Sequence, residues 1–181
     1  MRKSITKITS DIKNQFSGIH ALVNQIEKKN TQSIRNIGDW LLATEKLLQD
    51  LNLPESSKFA VKRGELTSFI PSDNGNKKKE HIHLAATILT KAQQDLWETY
   101  IIYSEKLENA SALINQLLGV IYQTKEFKYN ATEDFTVYIN RVWNFCTNHE
   151  QLRGISAQIL SLINKSDVII IMAEKIDLES L

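Results

Sequence analysis

Apolar side chains recur along almost the whole chain at steps of three and four, the spacing that lines one face of an α-helix. The first such stripe, Ile5, Ile8, Ile12, Phe16, Ile19, Val23 and Ile26, predicts a helix over 3–29. Asn30 or Thr31 supplies a cap for a second helix, in which Ile34, Ile37, Leu41, Leu48 and Leu51 keep the spacing, Trp40 and Leu47 widen the face, and the end falls near Leu53. Pro54 cannot continue that helix but suits the first turn of the next. A shorter helix from Pro54 to about Ser68 is therefore expected, burying Phe59, Val61, Leu66 and Phe69.

The strongest pattern is Ile82, Ala85, Leu89, Ala92, Leu96, Tyr100, Tyr103, Leu107, Ala110, Ile114, Leu117 and Ile121. Its steps make a heptad seam with one stutter between Ala92 and Tyr100 and predict a single helix of about 42 residues, about 63 Å long. Ile88, Trp97, Ile101, Ile102, Leu113, Leu118 and Val120 lie off that seam, so one stripe does not account for the apolar content, and neighbours on two sides are expected. A connection over 123–131 leads to a cap at Asn130 or Thr132 and to a further stripe, Phe135, Tyr138, Val142, Phe145, His149, Leu152, Ile155, Ile159 and Leu162, with Gly154 as the expected bend. Ser166 and Asp167 then precede Val168, Ile171, Met172 and Ile176, a short terminal helix by spacing, although its β-branched run also suits a strand.

Residues 71–79 hold two turn formers, a glycine and no apolar side chain beyond Pro71, which makes them the clearest loop. The expected organisation is an amino-terminal helical hairpin plus short helix over 1–70, the 71–79 loop, and a long-helix hairpin with a short terminal helix over 80–181, together one domain. Six Gly and two Pro in 181 residues are too few for the repeated turns of a sandwich or barrel. The predicted fold is thus all-α: an elongated antiparallel helical bundle of about five to six helices around one long central helix.

Charge narrows the function classes. With 22 Lys and Arg against 21 Asp and Glu, the net charge of +1 provides no field to gather nucleic acid, and Lys77, Lys78 and Lys79, the one basic run, lack interleaved aromatics. The single cysteine, Cys146, excludes an internal disulfide framework. The basic start continues into Asp11, Lys13 and Asn14 rather than an apolar leader, and the run Val168 to Ala173 is far shorter than a membrane span. A cytoplasmic location is expected, with neither membrane nor nucleic acid as partner.

Motifs for chemistry are sparse. No histidine follows a glutamate at the i,i+3 spacing of a di-iron bundle, and His149-Glu150-Gln151-Leu152-Arg153 places Arg where a zinc protease needs its second histidine. Cys146 and His149 share a helix face, but two ligands do not complete a metal site. His81 and His83 point apart on a helix, and the isolated glycines form no phosphate-cradling loop. No cofactor and no metal are expected.

Three function classes follow. The leading one is a non-enzymatic helical-bundle interaction or assembly protein, binding a protein partner or forming a homo-oligomer through apolar and aromatic faces. Its candidate interaction residues are Trp97 and Ile101, at i,i+4 off the seam, and Phe127 and Tyr129, which serve as anchors if the aromatic-rich connection is an exposed tip and otherwise cap the end of the bundle core. The alternative is a metal-independent helical RNase or toxin-like effector, in which Arg141 would hold a phosphate and His149 would move a proton, with seven residues between them. A membrane-active helical protein is the third class, weakened by the absence of a dense cationic face beside an insertion segment.

Overall fold

The computed structural model describes residues 3–30, 32–72, 76–124, 127–130 and 132–178. Within them the chain is all-α, with no strand and eight helices: α1 (Ile5–Phe16), α2 (Ile19–Glu27), α3 (Ser33–Asp50), α4 (Ser56–Ser68), α5 (Lys77–Thr124), α6 (Phe135–Asn148), α7 (Arg153–Leu162) and α8 (Lys165–Lys175). The division is finer than the five to six helices expected. The chain forms two compact units, one of residues 8–102 and one of residues 1–7 with 103–181.

In the unit of residues 8–102, the predicted helix over 3–29 is interrupted at Ser17 and Gly18. The indole Nε1 of Trp40 donates to the Gln15 carbonyl at 3.2 Å, taking the acceptor that a continuous helix would offer to Ile19. Ser17 folds back instead, its hydroxyl donating to the Asn14 carbonyl at 2.6 Å. A Cβ at Gly18 would stand 3.5 Å from the Trp40 ring, so the turn lies directly against the indole. Thr44 completes the link by accepting from Gln15 Nε2 at 2.7 Å while donating to the Trp40 carbonyl at 2.8 Å. After the break the buried face turns: Ile19 and Leu22 are buried, and Val23, expected inside, is exposed.

The cap expected at Asn30 is not formed: α3 starts at Ser33 with Gln32 in the cap position and no side-chain bond there, and Asn30 instead accepts from Gln32 N at 2.9 Å in the preceding turn, while Thr31 lies outside the described residues. The end of α3 is a left-handed turn, with Asn52 at φ 54° and Leu53 N donating to the Leu48 carbonyl at 2.8 Å. On α4, Phe59 and Leu66 are buried and Phe69 is half-buried, but Val61 is 61% exposed. Val61 stands two residues from Phe59, about 200° around the helix, so one face cannot bury both. The long helix begins at Lys77, where Asn76 Oδ1 accepts from Lys79 N at 3.0 Å, so the three lysines given to the loop form its first turn. At 48 residues α5 is about 72 Å long.

In the unit of residues 1–7 and 103–181, α6 packs on α7 and α8. The cap of α6 is Asp134, which accepts from Val137 N at 3.1 Å, and not Asn130 or Thr132. The break between α6 and α7 falls at 149–152, where Leu152 N and Arg153 N both turn onto the His149 carbonyl; Gly154 is inside α7. The last segment is helix, capped by Asn164 and not by Ser166 or Asp167.

Asp167 has a different task. Its fully buried carboxylate accepts from the Ser4 hydroxyl at 2.5 Å, the Thr6 hydroxyl at 2.6 Å, Ile5 N at 2.7 Å and Thr6 N at 3.4 Å. Ser4 Oγ in turn accepts from Lys7 N at 3.0 Å. The first amides of α1 are thereby satisfied by a buried anion at the positive end of the helix. Replacing Asp167 with Ala strands these donors and is expected to lower the unfolding free energy by about 3 kcal/mol, against about 1 kcal/mol for Ser4→Ala. Urea denaturation followed by circular dichroism measures both, and equal small losses would contradict this role.

Candidate functional site

The six candidate residues fall in different settings. Of the two settings open to Phe127 and Tyr129, exposed tip or core, they take the packed one: Phe127 is buried, edge-to-face with Phe145 at 4.9 Å, and Tyr129 is half-buried, edge-to-face with Tyr138 at 5.1 Å. The Tyr129 hydroxyl donates to the Glu133 carbonyl at 3.2 Å. The Phe127 ring is thus 7% exposed.

Arg141 joins the same group. Its guanidinium forks onto Glu133 at 2.8 and 3.2 Å and lies over the rings of Tyr138 and Phe127 at 5.2 and 5.8 Å. His149 follows the end of α6, its ring 5.0 Å from Phe145 and its Nδ1 buried without a hydrogen-bond partner. Eight positions amount to about 12 Å along a helix, and the Arg141 fork is engaged by the Glu133 carboxylate. Burial pushes the Tyr138 phenol up, opposed by Arg141 and reinforced by Glu133 and Tyr122. Cys146 is buried next to this group, and burial pushes its thiol up to about 12. Among the described residues no group of three or more His, Cys, Asp or Glu could hold a metal ion.

Trp97 is placed otherwise. Of the three tryptophans, Trp40 is 9% and Trp143 2% exposed, whereas Trp97 is 51% exposed on α5. Its ring stacks on Tyr100 at 5.4 Å with an interplanar angle of 23° and meets the edge of Phe16 at 5.9 Å; Phe16 also meets Tyr100 at 6.2 Å. The three rings form the floor of a hollow of about 380 Å³ between α1 and α5, completed by Lys13 and Gln93. Beyond it on α5, Ile101 is half-buried and Ile102 is 48% exposed. The whole arrangement lies within the unit of residues 8–102.

Helical geometry explains its composition. Gln93, Trp97 and Tyr100 stand at i, i+4 and i+7 on α5, and Lys13 and Phe16 at i and i+3 on α1, so each helix contributes one stripe. Sequence reasoning found Trp97 and Ile101 because they leave the heptad seam. It missed Phe16 and Tyr100 because each continues a predicted core stripe, and Lys13 and Gln93 because polar helix residues are ordinarily solvated. The i, i+4, i+7 alignment of Gln93, Trp97 and Tyr100 was the available signal.

Charged side chains line a second hollow. It measures about 370 Å³ and includes Lys58, Lys62, Lys91 and Asp95. Burial raises the Asp95 carboxyl, but hydrogen bonds and charge from Lys62 and Lys58 outweigh it and hold the group below its ordinary value. Both lysines are thus ion-paired to one carboxylate. No single helix of the described residues is long and apolar enough to cross a membrane; α7 and α8 meet that test only together, across a bend of 112°, and their Ile159, Val168, Ile171 and Met172 are buried in their own unit.

The Cys146 thiol provides a check on this packing. At pH 8 a group titrating at about 12 is almost wholly protonated, so the native protein is expected to resist a thiolate-specific reagent that labels it within minutes in urea. The raised value has a sign for stability as well: above pH 9 the unfolded thiol ionises while the buried one does not, so its contribution to stability falls as pH rises toward 12. Rapid native labelling at pH 8 would show the thiol to be accessible. Comparison with protein-family models, curated proteins and solved structures finds no match for the chain.

Proposed function

We propose that the chain is a non-enzymatic interaction protein that binds a protein partner through the aromatic groove of Phe16, Trp97 and Tyr100. The carrying observation is the half-exposed Trp97, held by rings on two sides rather than free to swing. Tryptophan is the side chain that most often dominates a protein interface, and an indole fixed before binding loses little further freedom on contact. Ile101 and Ile102 extend the apolar surface along α5, and the pairing of Arg141 with Glu133 favours this reading over RNA cleavage.

A test uses a photo-crosslinking amino acid at position 101 in a native extract, alongside light scattering of the purified chain at two concentrations tenfold apart. The expected result is either a defined crosslinked polypeptide or a concentration-dependent doubling of mass, lost in Trp97→Ala while the thermal midpoint stays within a few degrees of wild type. Truncating a central interface tryptophan costs about 2 kcal/mol or more, which is about thirtyfold in affinity. Crosslinks and mass that Trp97→Ala leaves unchanged would refute the assignment.

A further inference from the structure

Resting on the groove assigned above, we infer that its occupant is an acidic, apolar segment of a partner protein, with an aliphatic or aromatic side chain seated on Phe16, Trp97 and Tyr100 and a neighbouring carboxylate on Lys13. The charge around the hollow is one-sided. Of its five lining residues three are aromatic, Gln93 is a neutral amide, and Lys13 is the lone ionised group. Lys13 forms no ion pair among the described residues.

The carboxylates nearest in sequence are turned elsewhere. Asp11 stands two residues before Lys13, about 200° around α1, and lines a different hollow with Lys46 and Asp50. Glu98, next to Trp97 on α5, accepts from Gln94 Nε2 at 3.1 Å and is not part of the groove wall. An apolar floor beside a cation that no described residue pairs with complements a ligand carrying an apolar group next to an anion, and it disfavours a basic one. The hollow is at the small end of ligand-sized volumes, enough for one large side chain and not for a folded domain. The occupant is thus a short segment that inserts an anchor residue. The Gln93 amide offers both a donor and an acceptor to that segment's backbone.

Selection from a random dodecapeptide library on the intact chain tests this, with parallel selections on Trp97→Ala, Lys13→Glu and Gln93→Glu. Lys13 and Gln93 are exposed, so their variants are expected to fold as wild type. The expected outcome is enrichment of Asp or Glu within a few positions of Phe, Leu or Trp, lost on Trp97→Ala and converted to Lys or Arg enrichment on Lys13→Glu. For one enriched peptide, Lys13→Gln is expected to weaken binding roughly two- to fivefold, the range of an exposed ion pair. Apolar peptides that depend on Trp97 but carry no acidic excess would overturn the acidic occupant while leaving the groove as an interface. Selected peptides indifferent to Trp97, or no enrichment on a wild type that is folded by circular dichroism, would overturn both.

Discussion

The bond from the Trp40 indole to the Gln15 carbonyl is the constraint on which the unit of residues 8–102 turns. By withdrawing one backbone acceptor it ends α1 at Phe16, rotates the face that α2 buries, and sets α1 against α3 through Thr44. Trp40 itself is fixed from the other side by Phe59 of α4, edge-to-face at 6.3 Å. A single buried side chain therefore joins α1, α3 and α4, and the last turn of α1, with Lys13 and Phe16, comes to lie where α5 presents Gln93, Trp97 and Tyr100. The candidate surface is a by-product of how this core closes.

Polar groups define where helices stop more sharply than apolar ones define where they run. Asn76, Asp134 and Asn164 each accept from an amide in the turn that follows, and Asn52 supplies the left-handed residue after α3. Apolar burial stabilises these helices collectively, but it tolerates sliding along a stripe; a side-chain cap does not, because it satisfies one particular amide. The same logic separates the two aromatic groups of the chain. Around Arg141, rings are covered and the cation is matched by Glu133, a closed set. Around Trp97, rings are partly bare and the cation has no ion pair among the described residues.

Much of the fold was legible in the spacing of apolar residues. The long helix, the stripe of Ile5, Ile8 and Ile12, and the inward set of Val168, Ile171 and Met172 are where the periodicity places them. The break at Ser17 was not legible, because the sequence there contains no proline and one glycine, and the acceptor is removed by a tryptophan 25 residues away. Val61 was misplaced by attention to residue type over angular position. The start of α5 was misplaced because three lysines read as solvent-facing, which they are, and as loop, which they are not. Trp97 could be singled out because it violates the seam; its partners could not, because a ring that continues a stripe carries no mark of lying at the stripe's edge.

The clasp on Asp167 bears on how such a chain is made. Residues 8–102 are contiguous and complete their contacts as they leave the ribosome, whereas Ser4, Ile5 and Thr6 must wait for an acceptor more than 160 residues downstream. Closing so long a loop is entropically costly and comes late. During synthesis the first turn of α1 is therefore without its anion until α8, which carries Asp167, has been made.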